Sequence, residues 1–170
     1  DLPDGIRMEY KPNIPVSIGL GLTLFNTVIN FSYGYGFGFM RPHKYGKTES
    51  LDIQVHSYGR KFAFDAFVQR YDGFYNDDFD VLRMFPDITA RRYGIYGYYV
   101  VNHKRYSYKA AFNKTERQLR SAGSPILGAG GSYLKVSSPG PLWNNGIYGR
   151  TNTQGGVCAG YAYTWVLGKY

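Results

Sequence analysis

The sequence predicts an all-β protein: an antiparallel, up-and-down transmembrane β-barrel of roughly 8–12 strands. Three observations lead to this prediction. Apolar and polar residues alternate with a period of two over long stretches, several of these stretches are about ten residues long, and the links between them alternate in length. The composition agrees, because 18 Tyr, 11 Phe and 22 Gly among 170 residues suit strands and turns better than helices.

The alternation is strictest near the N-terminus. In residues 16–24 every even position is apolar and every odd position is small or polar, and a second alternating run covers residues 29–39. Two such runs joined by a link at residues 25–27 predict a β-hairpin, whereas a helix would scatter the apolar side chains around its circumference. We expect the apolar side chains of the first run to face lipid, namely Ile18, Leu20, Leu22 and Leu24.

The remaining pattern completes a set of roughly nine strands. Further runs lie near residues 6–10, 51–55, 62–68, 93–101, 106–112, 126–136 and 157–167. The links at 25–27, 58–60 and 102–104 are short, while those at 40–49, 72–86 and 113–124 are longer, as in outer-membrane barrels. Residues 137–155 break this rule, because they are long and rich in Gly, Pro and Asn where a short turn is due.

Charge and hydropathy narrow the function classes. The formal net charge of +8 raises nucleic acid, acidic lipid and lipopolysaccharide as partners, but no dense Lys/Arg block appears, so nucleic acid is not expected. The single Cys158 excludes an internal disulfide. No run approaches the roughly 18 apolar residues of a transmembrane helix, and the mean hydropathy of −0.37 is compatible with alternating membrane strands.

The polar face of the predicted strands carries an ionic set that suits a barrel lumen. A soluble lipocalin-like barrel would also alternate; strand length, these charges and aromatic residues near strand ends favour the membrane. We expect opposite charges to pair inside, with Asp65 held by an Arg or Lys. The predicted lumenal network consists of Asp52, Gln54, His56, Asp65, Gln69, Arg92 and Lys109.

The sequence gives little support for a catalytic or metal-binding site. His56 follows Asp52 on one strand face and precedes Ser57, which would suit a hydrolase triad, but Ser57 points to the opposite face. The acidic residues within 72–87 match no EF-hand pattern. We therefore predict no catalytic, cofactor-binding or metal-binding residues.

Several segments together resemble a domain-of-unknown-function family of outer-membrane β-barrel proteins from Bacteroides-like Gram-negative bacteria. The resemblance rests on residues 44–48, 51–62, 65–75, 85–108, 116–119, 121–124 and 160–165. It implies a barrel in the cell outer membrane and assigns no catalytic residues. The family pattern continues beyond Trp165, so either the single domain, residues 1–170, lacks closing strands, or Tyr170 is the C-terminal aromatic residue with which many such barrels end.

The sequence thus predicts an outer-membrane barrel without catalytic activity that serves as an accessory or structural subunit of a membrane assembly. Its expected partners are outer-membrane lipid, lipopolysaccharide and other outer-membrane proteins. Two alternatives stay open: a small diffusion channel, which a lumen filled by side chains argues against, and a lipid-modifying outer-membrane enzyme.

Overall fold

The structure, a computed structural model, describes residues 9–13, 16–35, 46–77, 83–112, 116–140 and 148–168. These residues form an antiparallel, up-and-down sheet in which each strand pairs with the next along the chain. Its strands are β1 (Val16–Leu24), β2 (Thr27–Tyr35), β3 (Glu49–Tyr58), β4 (Phe62–Asn76), β5 (Arg83–Val100), β6 (Ala122–Ser137) and β7 (Gly149–Thr164), and one short helix, α1 (Tyr108–Phe112), lies between β5 and β6. No helix in this part of the chain is long and apolar enough to cross a membrane.

The predicted N-terminal hairpin is confirmed. Leu22 pairs with Ile29 and Leu24 with Thr27, so the two alternating runs present their apolar side chains on the same face. The turn is tighter than the predicted link and consists of Phe25 and Asn26. Phe25 adopts a φ of 54°, which is the left-handed conformation that two-residue hairpin turns require.

The predicted strand at residues 106–112 is wrong, because residues 108–112 form α1 instead. The hydroxyl of Ser107 accepts a hydrogen bond from the Ala110 amide at 3.1 Å, which is the contact of a helix N-cap. The predicted short turn at residues 102–104 is therefore part of a long connection that covers residues 101–121.

The connections do not alternate strictly in length, because the long connection from β5 to β6 lies at the same end of the sheet as the two short turns. At one end of the sheet the turns at residues 25–26 and 59–61 join β1 to β2 and β3 to β4, and β5 is connected to β6; the other three connections join β2 to β3, β4 to β5 and β6 to β7 at the other end. The segment at 137–155 no longer stands where a short turn is due, because residues 149–155 belong to β7 and the connection before them lies at the end of the sheet without the short turns. The predicted loop at 72–86 is also shorter than expected, because β4 continues to Asn76 and β5 begins at Arg83.

The segment before β1 docks on the far end of β4. Residues 6–8 of the predicted opening strand lie outside the described residues, but Lys11 forms a two-hydrogen-bond bridge with Tyr75, at 2.8 and 2.9 Å. The Asn13 amide donates to the Thr48 hydroxyl at 2.8 Å, and that hydroxyl donates to the Gly73 carbonyl at 2.6 Å. Gly73 has a φ of +87° at a bulge where a Cβ would overlap the Lys47 carbonyl.

The sheet has two chemically different faces, because residues directly opposite each other in an antiparallel ladder point the same way. The apolar face contains two adjacent rows that cross β1 to β6: Leu20, Phe31, Ile53, Val68, Tyr93 and Tyr133, and Leu22, Ile29, Val55, Ala66, Ile95 and Gly131. The polar face contains Asp52, Gln54 and His56 on β3 and Asp65 and Gln69 on β4.

The sheet is open in the described part of the chain. There, β1 and β7 are its edges and do not pair with each other. The predicted all-β, up-and-down arrangement is confirmed, but the described residues form an open sheet of seven strands and not a closed barrel of 8–12. Since consecutive strands are antiparallel, the first and the seventh run in the same direction. An antiparallel closure of this sheet therefore requires a further strand that runs opposite to both.

Candidate functional site

The polar face holds a hydrogen-bonded cluster centred on Asp65. Its Oδ1 lies 2.7 Å from Nδ1 of His56 and accepts a hydrogen bond from the Tyr58 hydroxyl at 3.1 Å. His56 and Asp65 are directly opposite each other on β3 and β4, so the sheet register alone brings them together. Among the described residues the partners of Asp65 are an imidazole and a phenol instead of the expected Arg or Lys.

The cluster extends along β3 through an amide. Gln54 places its Oε1 3.3 Å from Nε2 of His56 and donates from Nε2 to Oδ2 of Asp52 at 2.9 Å. The same Asp52 oxygen accepts from Gln69 at 3.2 Å. Its other oxygen, Oδ1, is buried and has no hydrogen-bond partner among the described residues. The structure thus connects five of the seven predicted network residues in one chain of contacts.

Arg92 and Lys109 are placed differently from the other five. Arg92 lies opposite Gln69 on the polar face, but its guanidinium stacks over the Phe67 ring at 4.9 Å. Lys109 lies on α1, outside the sheet, with its Nζ 3.6 Å from Oε1 of Glu116. Sequence reasoning missed Tyr58, which was assigned to a turn although it continues the period-two face of His56.

The hydrolase triad considered from the sequence does not form. Ser57 lies on the apolar face, where its hydroxyl accepts a hydrogen bond from Thr27 at 3.0 Å. His56 points to the other side of the same strand, so its imidazole cannot accept the Ser57 proton. The described residues also contain no group of three or more His, Cys, Asp or Glu residues that could hold a metal ion.

The connection between β5 and β6 packs against the polar face through α1. The ring of Phe112 stacks on Tyr58 with centroids 5.3 Å apart, and Tyr108 contacts both rings, at 4.4 Å and 6.2 Å. Burial raises the pKa of the Tyr108 phenol, and the negative charge of Asp65 contributes in the same direction. The connection therefore covers one end of the polar face.

Glu116 ties this connection together. Its carboxylate accepts hydrogen bonds from Nε of Arg60 at 2.9 and 3.2 Å and from the Ser107 hydroxyl at 3.0 Å. The hydrogen bond from Arg60 is the main cause that lowers the pKa of Glu116, and the Ser107 hydrogen bond and the charges of Arg60 and Lys109 add to it. Glu116 thus links the β3–β4 turn to the β5–β6 connection.

A cavity of about 620 Å³ opens beside Glu116. Five of its lining residues are Arg or Lys and one is acidic; they are Arg60, Lys104, Arg105, Arg117, Arg120 and Glu116. The lining of this cavity is therefore strongly basic.

One comparison with known proteins gives a match. A family model described as a domain of unknown function (DUF4421) matches residues 3–170. No curated protein and no solved structure matches the chain.

Proposed function

Because the chain belongs to the DUF4421 family, a domain of unknown function, we propose its role from its own geometry: an outer-membrane β-barrel protein without catalytic activity that serves as an accessory or structural subunit of an outer-membrane assembly. The single observation that carries this proposal is the apolar face. It is continuous across the sheet, and its large side chains are exposed.

The exposure of this face favours a lipid environment. Leu20, Ile95 and Val157, on β1, β5 and β7, are 76%, 61% and 88% exposed. Soluble monomers rarely expose contiguous apolar patches larger than a few hundred Å². A soluble barrel would turn these side chains inward and its ions outward. Here Asp52, Asp65 and the His56 imidazole lie on the opposite, polar face, as the interior of a membrane barrel requires.

The dimensions of the apolar face also favour a membrane. A cationic row formed by Arg70, Arg91 and Lys135 borders it at one end, and the contacting rings of Phe62 and Tyr99 lie at the other. Arg91 and Tyr99 are eight residues apart on β5, which gives roughly 26 Å along the strand. A strand tilt of about 40° reduces this to about 20 Å, near the roughly 25 Å apolar band of outer-membrane barrels.

The polar face supports a structural role rather than transport or catalysis. Aromatic side chains crowd it, because a Cβ at Gly94 would overlap the Phe67 ring and one at Gly130 would overlap the Tyr96 ring. At one end α1 also stacks on Tyr58. The His56 imidazole is engaged at both nitrogens by neighbouring side chains. Among the described residues these contacts crowd the polar face and place no nucleophile within reach of the His56 imidazole.

The open edges support association with further strands. Unpaired backbone groups are costly in the hydrocarbon region, so membrane sheets close. Since β1 and β7 run in the same direction, antiparallel closure adds at least one strand between them. We propose that the closed barrel presents its apolar face to lipid and its loops to a partner protein of the same membrane.

Membrane extraction tests the proposal. The chain is refolded in mild detergent, reconstituted into phospholipid vesicles and washed with alkaline carbonate. We expect it to remain with the vesicles, to show no ion conductance in planar bilayers, and to bring a stoichiometric membrane partner when isolated from native membranes. Release by carbonate would contradict membrane insertion. Stepwise conductance with no partner would support a diffusion channel instead.

A further inference from the structure

The basic cavity in the β5–β6 connection has a framework that is built by side chains. Gln118 accepts a hydrogen bond from the Ser107 amide at 2.9 Å and donates to the carbonyls of Arg105 and Arg120 at 2.7 and 2.9 Å. One amide side chain thus fixes three backbone positions around the opening. The cavity is therefore a defined feature of the fold and not a gap between loose loops.

The charge of the cavity exceeds what its carboxylate can offset. Glu116 already accepts from Arg60 and lies near Lys109. Lys104, Arg105 and Arg120 line the same cavity, and none of these three forms an ion pair with a carboxylate in the part of the chain that the structure describes. Neighbouring cations without a counterion repel one another. A bound anion would remove that repulsion.

The cavity also adjoins the aromatic end of the apolar face. His103, which lines it, lies 6.5 Å from the Tyr99 ring and contacts the Val100 carbonyl at 3.2 Å. Tyr99 in turn contacts Phe62, over which the Lys61 ammonium lies at 5.3 Å. Cations beside an aromatic row are the arrangement found where a membrane protein meets the headgroup layer.

We propose that this cavity binds a phosphate-bearing anion and that the anion is the headgroup phosphate of a membrane phospholipid, whose acyl chains lie along the apolar face. Arg and Lys side chains match phosphate oxygens in charge and hydrogen-bonding capacity. The choice of a lipid as the source rests on the proposed function, whereas the preference for phosphate rests on the cavity alone.

Calorimetric titration of the refolded chain in a neutral, phosphate-free detergent tests both parts. Three probes separate them: dihexanoyl phosphatidylglycerol, inorganic phosphate, and dihexanoylglycerol, which has the acyl chains without the phosphate. We expect the phospholipid to bind best, inorganic phosphate to bind more weakly, and dihexanoylglycerol to give no saturable heat. Equal binding of dihexanoylglycerol and phospholipid would overturn the proposal.

A charge-matched pair of variants locates the site. The test variant carries K104Q, R105Q and R120Q; the control carries R91Q, K135Q and R150Q, which removes the same charge away from the cavity. Removal of charge-assisted contacts should weaken phospholipid binding by at least about tenfold in the test variant, against less than about twofold in the control. R105Q alone, a single change at an exposed side chain, should give a smaller loss in the same direction.

The outcomes separate this inference from the proposed function. Equal weakening in both triple variants would mean general electrostatic attraction and would overturn the site. Inorganic phosphate that binds as tightly as phospholipid would keep the phosphate site and remove the lipid. If carbonate releases the protein from vesicles while inorganic phosphate still binds, and the K104Q, R105Q and R120Q variant loses that binding, the proposed function fails and the site stands.

Discussion

Replacing Ile95 by arginine tests directly whether the apolar face meets lipid. Ile95 lies midway between Arg91 and Tyr99 on β5 and is 61% exposed. Arginine near the midplane of a transmembrane barrel costs about 2–4 kcal/mol, whereas a substitution of an exposed residue in water changes stability by about 0.5 kcal/mol or less. The expected cost corresponds to a roughly 30- to 700-fold fall in the folding equilibrium constant.

The assay is equilibrium urea unfolding of the chain refolded into phospholipid vesicles, followed by tryptophan fluorescence. Phe25→Arg is the control, because Phe25 is 93% exposed and lies in the β1–β2 turn, outside the strands and outside the basic cavity. We expect Ile95→Arg to lower the free energy of unfolding by about 2–4 kcal/mol and Phe25→Arg to leave it nearly unchanged. If both variants stay within about 0.5 kcal/mol of the wild type, the apolar face does not meet lipid.

Three further predictions concern the polar face and the β5–β6 connection. Gly130→Ala should destabilise the fold by roughly 1–3 kcal/mol, since its Cβ would overlap the Tyr96 ring. Gly156 of β7, which pairs with Gly130, has no atom near its Cβ position, so Gly156→Ala should not destabilise the fold. Equal urea midpoints for the two variants would contradict the close packing of Tyr96 on Gly130. The lowered pKa of Glu116 means that its stabilisation is complete above its ordinary value of 4.5 and disappears as the pH falls through the folded-state pKa. Glu116→Gln should therefore lower the urea midpoint at pH 7, and by progressively less as the pH falls below 4.5. A loss that does not change with pH would refute this linkage. Asp65→Asn should lower the free energy of unfolding by about 1.5–3 kcal/mol, the range for hydrogen bonds to a charged group. The larger cost of a fully buried charge is not expected, because the carboxylate is 26% exposed. An unchanged urea midpoint would show that water replaces the donors of Asp65.

The alternation of side chains between the two faces of a strand predicted more of the site than the predicted strand ends did. Asp52, Gln54 and His56 share a face because they are two residues apart, and this relation holds wherever β3 begins or ends. The pairing of His56 with Asp65 depends only on the length of the β3–β4 turn. The cluster was therefore accessible from the sequence, although the identity of the Asp65 donors was not, since these depend on side-chain reach.

Two elements could not be predicted from alternation alone. Residues 106–112 alternate by coincidence, and the competing signal was local: Ser107 as an N-cap before Lys109, Ala110 and Ala111. The first half of β7 is, conversely, a strand that the sequence did not predict, because the residues from Gly149 to Gly156 have low strand propensity. Its extended conformation is imposed by pairing with β6, where Ser137 lies opposite Gly149.

The bridge between Lys11 and Tyr75 has a consequence for the order of folding. Within the described sheet each strand pairs with its neighbour along the chain, so the strand pairs can form in succession without contacts between distant parts of the chain. The N-terminal segment is different, since the Lys11 ammonium also contacts Asp77, 66 positions along the chain. It can dock only after β4 has formed as far as Tyr75. Its docking therefore follows the formation of β4 and adds contacts that hold the end of this strand.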